Sequence, residues 1–264
     1  MLIIDFITEL FCKVDDILPI RLKRSRHKQR QLHPSEIITL GLLFAIKGVN
    51  ESAFYRWIKN NYLHLFPNLP DRTNLFRNFN TYWQYAEAFM SNPTIFGIAD
   101  SYGIELIHPM REGRSDNQIG KKGKSNHRWI VGLKICPVIN KFGLIVDWSV
   151  STDNVCDKVF QPMIKKYENR MIVFTDTNFN DKDGNASNMK VCPRGTWNGR
   201  MVVESVFSML SNLCHYKKTT QRTWKYFLSK MAYTMAAFNI LAQWNGLNPD
   251  ENGFVPLSIA HFNL

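Results

Sequence analysis

The 264 residues are 45% hydrophobic and 21% charged, the balance of an ordinary globular protein with chain enough for one large domain or two small ones. The 33 Lys and Arg outnumber the 22 Asp and Glu to give a net charge of +11 and a pI near 9.5, which points to a polyanionic partner, nucleic acid before an acidic membrane surface. No apolar run approaches the roughly 18–20 residues of a spanning helix, and five scattered cysteines without a C-x-x-C pair argue against a disulfide framework and a structural zinc site.

Asp5 and Glu9 interrupt the first apolar segment, which does not fit a signal peptide. The expected compartment is the cytoplasm, and with the seven histidines dispersed, any metal is expected on oxygen ligands. Residues 2–18 place Ile3, Phe6, Ile7, Leu10, Val14 and Ile17 at helical spacing. A basic segment follows, Arg21–Arg30, with six Lys or Arg in ten residues, Arg24 and Arg26 among them. Pro34 opens a second helix that Gly48 closes. Asn50 can cap a third, running to about Phe66, and Asp71 a fourth that carries Leu75, Phe79, Tyr82, Ala86 and Phe89 on one face. The polar face of this fourth helix shows Arg72, Asn74, Arg77, Asn78 and Asn80. Such helices resemble a helix-turn-helix reader of DNA, and a plain helical bundle fits the same pattern.

From Pro93 the rhythm turns to strands. Thr94–Asp100 and Arg170–Asp176 are apolar runs that each end in an acid. Trp129–Ile135 and Gly143–Val150 pair across a turn near Asn140 and Lys141. Residues 153–168 can cross over as a helix, with Asp153 and Asp157 in its first turn. Helices over about 198–214 and 222–244 close the domain. The pattern predicts an α/β fold, a mixed sheet flanked by helices, preceded by an all-helical DNA-binding region. The boundaries fall at 1–92, 93–247 and a 248–264 tail. Gly120-Lys-Lys-Gly-Lys-Ser125 lacks the spacing of a phosphate-binding loop and reads as a solvated basic loop, with Lys121, Lys122 and Lys124 able to touch DNA.

Three acids stand out. Asp100 and Asp176 end strands, where open α/β sheets place their sites, although an acid followed by Ser or Thr is also an ordinary turn signal. Glu204 is the only acid between Gly184 and Leu247, among eight Lys and Arg. It sits on a helix whose apolar stripe reads Val202, Val206, Met209, Leu210 and Leu213. Its flank is shared with Arg200, Phe207, Ser208 and Ser211. A pair with Arg200 is the plainer reading of that spacing. Together the three acids offer hard oxygen ligands that suit Mg²⁺ or Mn²⁺, two ions in all, ringed by cations that suit the DNA backbone. Asp157 is a candidate accessory ligand.

In the order Ile98-Ala-Asp-Ser101, His127-Arg-Trp-Ile-Val-Gly-Leu-Lys134, Val173-Phe-Thr-Asp176 and Arg200-Met-Val-Val-Glu-Ser-Val-Phe-Ser208, the chain resembles the transposases of short bacterial insertion sequences. The resemblance runs from Tyr62-Leu-His-Leu-Phe-Pro67 to the helix Met231–Trp244. It implies an RNase H-like catalytic domain and an Asp100, Asp176, Glu204 triad that is both catalytic and metal-binding. It also implies Arg200 on DNA phosphate, a homodimer in a synaptic complex on double-stranded element ends and target, and a place at the bacterial nucleoid rather than a membrane. Asp176 and Glu204 are 28 positions apart, too few for the large insertion some relatives carry. The chain departs from the pattern with Trp197 in place of a Tyr, Ser211 in place of a Lys, and Thr177 after the second Asp. Trp197 can still stack on a base; Lys217 and Lys218 supply further basic contacts. A nuclease of the same fold that does not join strands, and a transposase-derived DNA-binding protein without catalysis, are the alternative functions.

Overall fold

The computed structural model describes residues 2–24, 31–125, 128–193, 200–217, 219–244, 246–248 and 251. Its elements from Ile3 to Phe89 are helices. The first, α1 (Ile3–Ile17), buries Phe6, Ile7, Leu10 and Val14. Ile17 stays exposed and Leu18, beyond the helix end, takes the buried place. A short α2 (Ile20–Arg24) follows. In α3 (Pro34–Lys47) the His33 ring accepts from the Ser35 amide while Glu36 accepts from the His33 amide, and Gly48 ends the helix at φ 62°. That reciprocal cap and left-handed exit fix both ends. Residues Pro34 to Ile46 are all buried or nearly so, so α3 is apolar all round and serves as a central strut.

Asn50 caps α4 (Glu51–Asn61) through the Ala53 amide, and Asp71 caps α5 (Arg72–Tyr82) through the Asn74 amide. Two expected extents differ. The third predicted helix stops at Asn61 rather than Phe66, with residues 62–68 in turns. The fourth tightens after Tyr82 into a 3₁₀ segment, Trp83–Phe89.

Among the described residues the sheet has seven strands and is mixed: β1 (Phe96–Ala99), β2 (Tyr102–Ile107), β3 (Lys121–Ser125), β4 (Arg128–Asn140), β5 (Ile145–Thr152), β6 (Ile172–Thr175) and β7 (Met189–Val191). The long β4 is its spine. Antiparallel β1 and β2 pair with β4 end to end, Ala99 opposite Val138 and Tyr102 opposite Ile135. Residue Gly132 pairs with Glu105 of β2 and also with Lys121 of β3, so these strands lie on opposite sides of the spine. Next to β3, β5 continues along β4 from Leu133 opposite Thr152. β1 pairs in parallel with β6, and β6 in parallel with β7. Gly132 is required by the crowding: a Cβ there would overlap the Ile104 carbonyl oxygen.

Residues 121–125, expected as a loop, form the strand β3. No alternation marks Lys-Lys-Gly-Lys-Ser, and the strand exists because β4 offers it an unpaired edge. Residues 153–168, expected as one crossover helix, fold instead as a 3₁₀ turn, Asp157–Phe160, and the short α6 (Gln161–Lys165). Asp153 lies outside both and is buried.

Side-chain alternation along β4 sends Leu133, Ile135 and Ile139 to one core and Cys136 and Val138 to another. The second core is closed by Phe160, Met163, Ile164 and Phe179. The first is continuous with α1, α3, α4 and α5, and with α7 (Arg200–Asn212) and α8 (Trp224–Ala242). Asn239 of α8 joins the layers: its Oδ1 accepts from the Ile145 amide, and its Nδ2 donates to the carbonyls of Ile145 and Phe89. The buried stripe of α7 is Val203, Val206, Phe207 and Leu210, continued by Cys214 beyond its end, and is rotated from the expected one; Val202, Met209 and Leu213 are only partly buried.

Candidate functional site

Parallel pairing sets Ile98 of β1 opposite Phe174 of β6. Two residues further along the same register, at the C-terminal ends of both strands, come Asp100 and Asp176. Adjacent strands lie about 4.8 Å apart, so the two acids follow the ends of neighbouring strands. Each also does local work. Asp100 Oδ1 accepts from the Ser101 amide at 2.8 Å. Asp176 caps a 3₁₀ turn, Thr177–Phe179, accepting from the Asn178 amide at 2.9 Å and from its side-chain amide at 3.0 Å. The turn role read from Ser101 and Thr177 is therefore present together with the placement at the sheet edge.

Rotation of α7 on its buried stripe leaves Glu204 exposed on the flank. A cavity of about 530 Å³ runs between that flank and the strand ends, lined by Asp100, Asp176 and Glu204 together with Phe207, Ser208 and Ser211. The three acids thus face one space. Among the described residues, no three His, Cys, Asp or Glu side chains stand close enough to hold an ion as they are. The donor set is nonetheless all oxygen and opens into a cavity, which fits a hard divalent cation in type.

Lysines border the same cavity. Lys124 of β3 and Lys217 line it, both expected DNA contacts, and so does Lys134, which sequence reasoning missed. The Lys217 ammonium stands 4.1 Å from the centre of the Tyr102 ring, a cation–π contact with another residue that lines the cavity. Lys134 donates to Asp157 Oδ1 at 2.8 Å and to the Val155 carbonyl at 3.0 Å. Its side chain is 16% exposed and that of Asp157 is 7% exposed, so the pair is nearly dry. Asp157, expected as an accessory ligand, is engaged as the counter-ion of Lys134. One signal for Lys134 was available: a single cation inside Ile130-Val-Gly-Leu-Lys-Ile-Cys136, an otherwise apolar strand.

Behind this wall lies Asp153. It is 4% exposed, and both of its carboxylate oxygens lack a hydrogen-bond partner. The absence of Cβ atoms at Gly103 and Gly123 leaves the space it fills. Burial raises its pKa, Lys134 opposes the rise and Asp157 adds to it. The concentration of negative charge also reaches Cys136. Burial pushes that thiol well up, and the carboxylates of Asp157, Asp100 and Asp176 push it further.

Of the remaining expected contacts, Lys121 and Lys122 are exposed on β3 and do not line the cavity. Arg26, Trp197 and Lys218 lie outside the described residues, as do the side chains of Arg24 and Arg200 and nearly all of the 248–264 tail. No protein-family model matches this chain, and no curated protein matches it in sequence.

Proposed function

We propose that this protein is a transposase that cleaves and joins DNA strands at the ends of an insertion sequence by divalent-metal-dependent phosphoryl transfer. The observation that carries the reading is the meeting of Asp100, Asp176 and Glu204 around one cavity bordered by Lys124, Lys134 and Lys217. An antiparallel meander followed by two parallel strands, with helices on both faces, supports an RNase H-like core.

Asp100, Asp176 and Glu204 would hold Mg²⁺ or Mn²⁺. Two such ions supply activation of water or a 3′-hydroxyl and stabilisation of the leaving oxygen in an in-line displacement. The chain's own residues bind and orient. Lys124 and Lys217, exposed at the cavity rim, neutralise backbone phosphates and so raise affinity in a salt-dependent way. Lys134, held by Asp157 and the Val155 carbonyl, is a fixed ammonium donor at the cavity wall whose charge Asp157 balances, so it orients rather than adds net charge. Each cavity serves one DNA end, so a homodimer in a synaptic complex on double-stranded DNA, at the bacterial nucleoid, belongs to the same reading.

The test is incubation of the purified protein with duplex DNA from the regions flanking its coding sequence, in Mg²⁺ or Mn²⁺. Cleaved and strand-joined products are expected. Asp100→Asn and Asp176→Asn should abolish both products while duplex binding persists. Cleavage without joined products would make the protein a nuclease, and full activity in either variant or in excess chelator would remove the metal mechanism.

A further inference from the structure

We infer that a groove along the outer edge of β2 receives the DNA strand on its way to the three acids, and that Arg128 takes a backbone phosphate there in exchange for Glu105. The inference rests on the proposed DNA chemistry. It adds a phosphate site remote from the cleaved bond and the carboxylate that holds that site in the free protein. A second cavity, of about 330 Å³, is lined by Tyr102–Ile107 of β2 with His108, Arg128 and Lys217. Tyr102, Gly103 and Lys217 also line the cavity of the acids, so the two spaces adjoin.

An unbroken run of residues lines this groove because β2 ends the sheet on its side. Among the described residues β2 pairs with β4 alone, and the outer edge of such a strand presents backbone amides and carbonyls outside any ladder. Cations stand at both ends of the stretch from Tyr102 to Glu105: Lys217 lies 4.1 Å from the centre of the Tyr102 ring, and Arg128 meets Glu105. His108 adds a donor. Its Nδ1 accepts from the Met110 amide at 3.3 Å, which leaves the proton of a neutral ring on Nε2. Donors and cations along an open edge, in a chain of net charge +11, suit a polyanionic strand.

Glu105 is the acid of this groove, and it is engaged by Arg128, Nη2 to Oε2 at 3.1 Å, with side chains 30% and 70% exposed. An ion pair so open to water contributes little to stability, whereas guanidinium and phosphate make a charge-assisted pair that is often bidentate. An incoming phosphate therefore displaces the carboxylate readily. Register gives the position. β1 and β2 run in line along β4, Ala99 opposite Val138 and Glu105 opposite Gly132. The five residue steps from Asp100 to Glu105 span about 17 Å at roughly 3.4 Å each. DNA advances about 3.4 Å per base pair, which places the phosphate at Arg128 about three to six nucleotides from the cleaved bond.

The experiment measures binding of the full chain, without divalent metal, to flanking-region duplexes that each carry one uncharged methylphosphonate linkage, numbered from the bond the protein cleaves. For wild type, one linkage three to six nucleotides away should weaken binding at least fivefold. Arg128→Gln should show that loss on the native duplex and no further loss when the linkage is neutral. Glu105→Gln should tighten binding severalfold, and adding Arg128→Gln should cancel the gain. Arg170→Gln, at the far end of β6 from the acids, removes the same charge and should keep the wild-type pattern. Unchanged far-UV circular dichroism will show that the variants fold. An Arg128→Gln protein that keeps the wild-type sensitivity at every linkage, or a Glu105→Gln protein that binds no tighter, would overturn the exchange while leaving the DNA chemistry standing. A wild-type protein that binds no duplex would overturn both.

Discussion

Replacing Lys134 by Met isolates the electrostatics of the cavity wall from its chemistry. The ammonium and Asp157 Oδ1 are 2.8 Å apart, with side chains only 16% and 7% exposed. At an effective dielectric near 20 their attraction is roughly 6 kcal/mol before desolvation is counted. Removing one member of such a pair leaves a buried carboxylate without its partner, which costs about 3–5 kcal/mol. Asp153 makes the loss worse, because Lys134 is the cation that holds its pKa down against burial. Urea unfolding at pH 7 should therefore place Lys134→Met about 3–5 kcal/mol below wild type, a fall in Tm on the order of 10 °C for a chain of this size. Adding Asp157→Asn should restore more than half of that loss, since a neutral partner has no charge to desolvate. A single variant within 1 kcal/mol of wild type, or a double variant whose losses simply add, would refute the buried-pair reasoning.

Asp153 gives a pH test. Its folded pKa is raised by burial, so the stability belonging to its protonated form is present below about pH 4 and is lost as pH rises through the folded value. Asp153→Asn should accordingly gain on wild type between pH 4 and pH 7; a variant that becomes relatively less stable over that range would mean the carboxylate is paired there. Lys230 works in the opposite sense. Burial against the Phe44 and Ala45 carbonyls holds its pKa at about 8, below the unfolded value near 10.4. Wild-type stability should rise relative to Lys230→Met between pH 8 and pH 10.5, by roughly 3 kcal/mol at 1.36 kcal/mol per pH unit. A stability difference that does not change with pH would place the ammonium in water.

Much of the local structure was legible. Asn50, Asp71, Pro34 and Gly48 mark real helix ends because caps and turns are decided by a few neighbouring atoms. The strands ending at Asp100 and Asp176 were legible because apolar runs of that length bounded by an acid have few other uses. What could not be read were features created by distant partners. Lys121–Ser125 is a strand only because the β4 edge is there to receive it. Tyr102–Ile107, interrupted by Gly103 and Glu105, lacks the clean alternation that marks a strand. The stripe on α7 was ambiguous because apolar residues nearly encircle the helix, and only packing on the sheet selects Val203 and Phe207 over Val202 and Leu213. Asp153 and Asp157 look alike in sequence, at the start of an expected helix. One is sealed between two glycines and the other is clamped to Lys134, a distinction made entirely by tertiary contacts.

The central claim is that Asp100, Asp176 and Glu204 act on one metal centre, and titration of the purified protein with Mn²⁺ followed by electron paramagnetic resonance tests it most directly. Asp100→Asn, Asp176→Asn and Glu204→Gln should each weaken Mn²⁺ binding by tenfold or more, while Asp157→Asn changes it little because that carboxylate already answers Lys134. If Glu204→Gln binds Mn²⁺ as wild type does, the helix α7 does not complete the centre and the triad is contradicted.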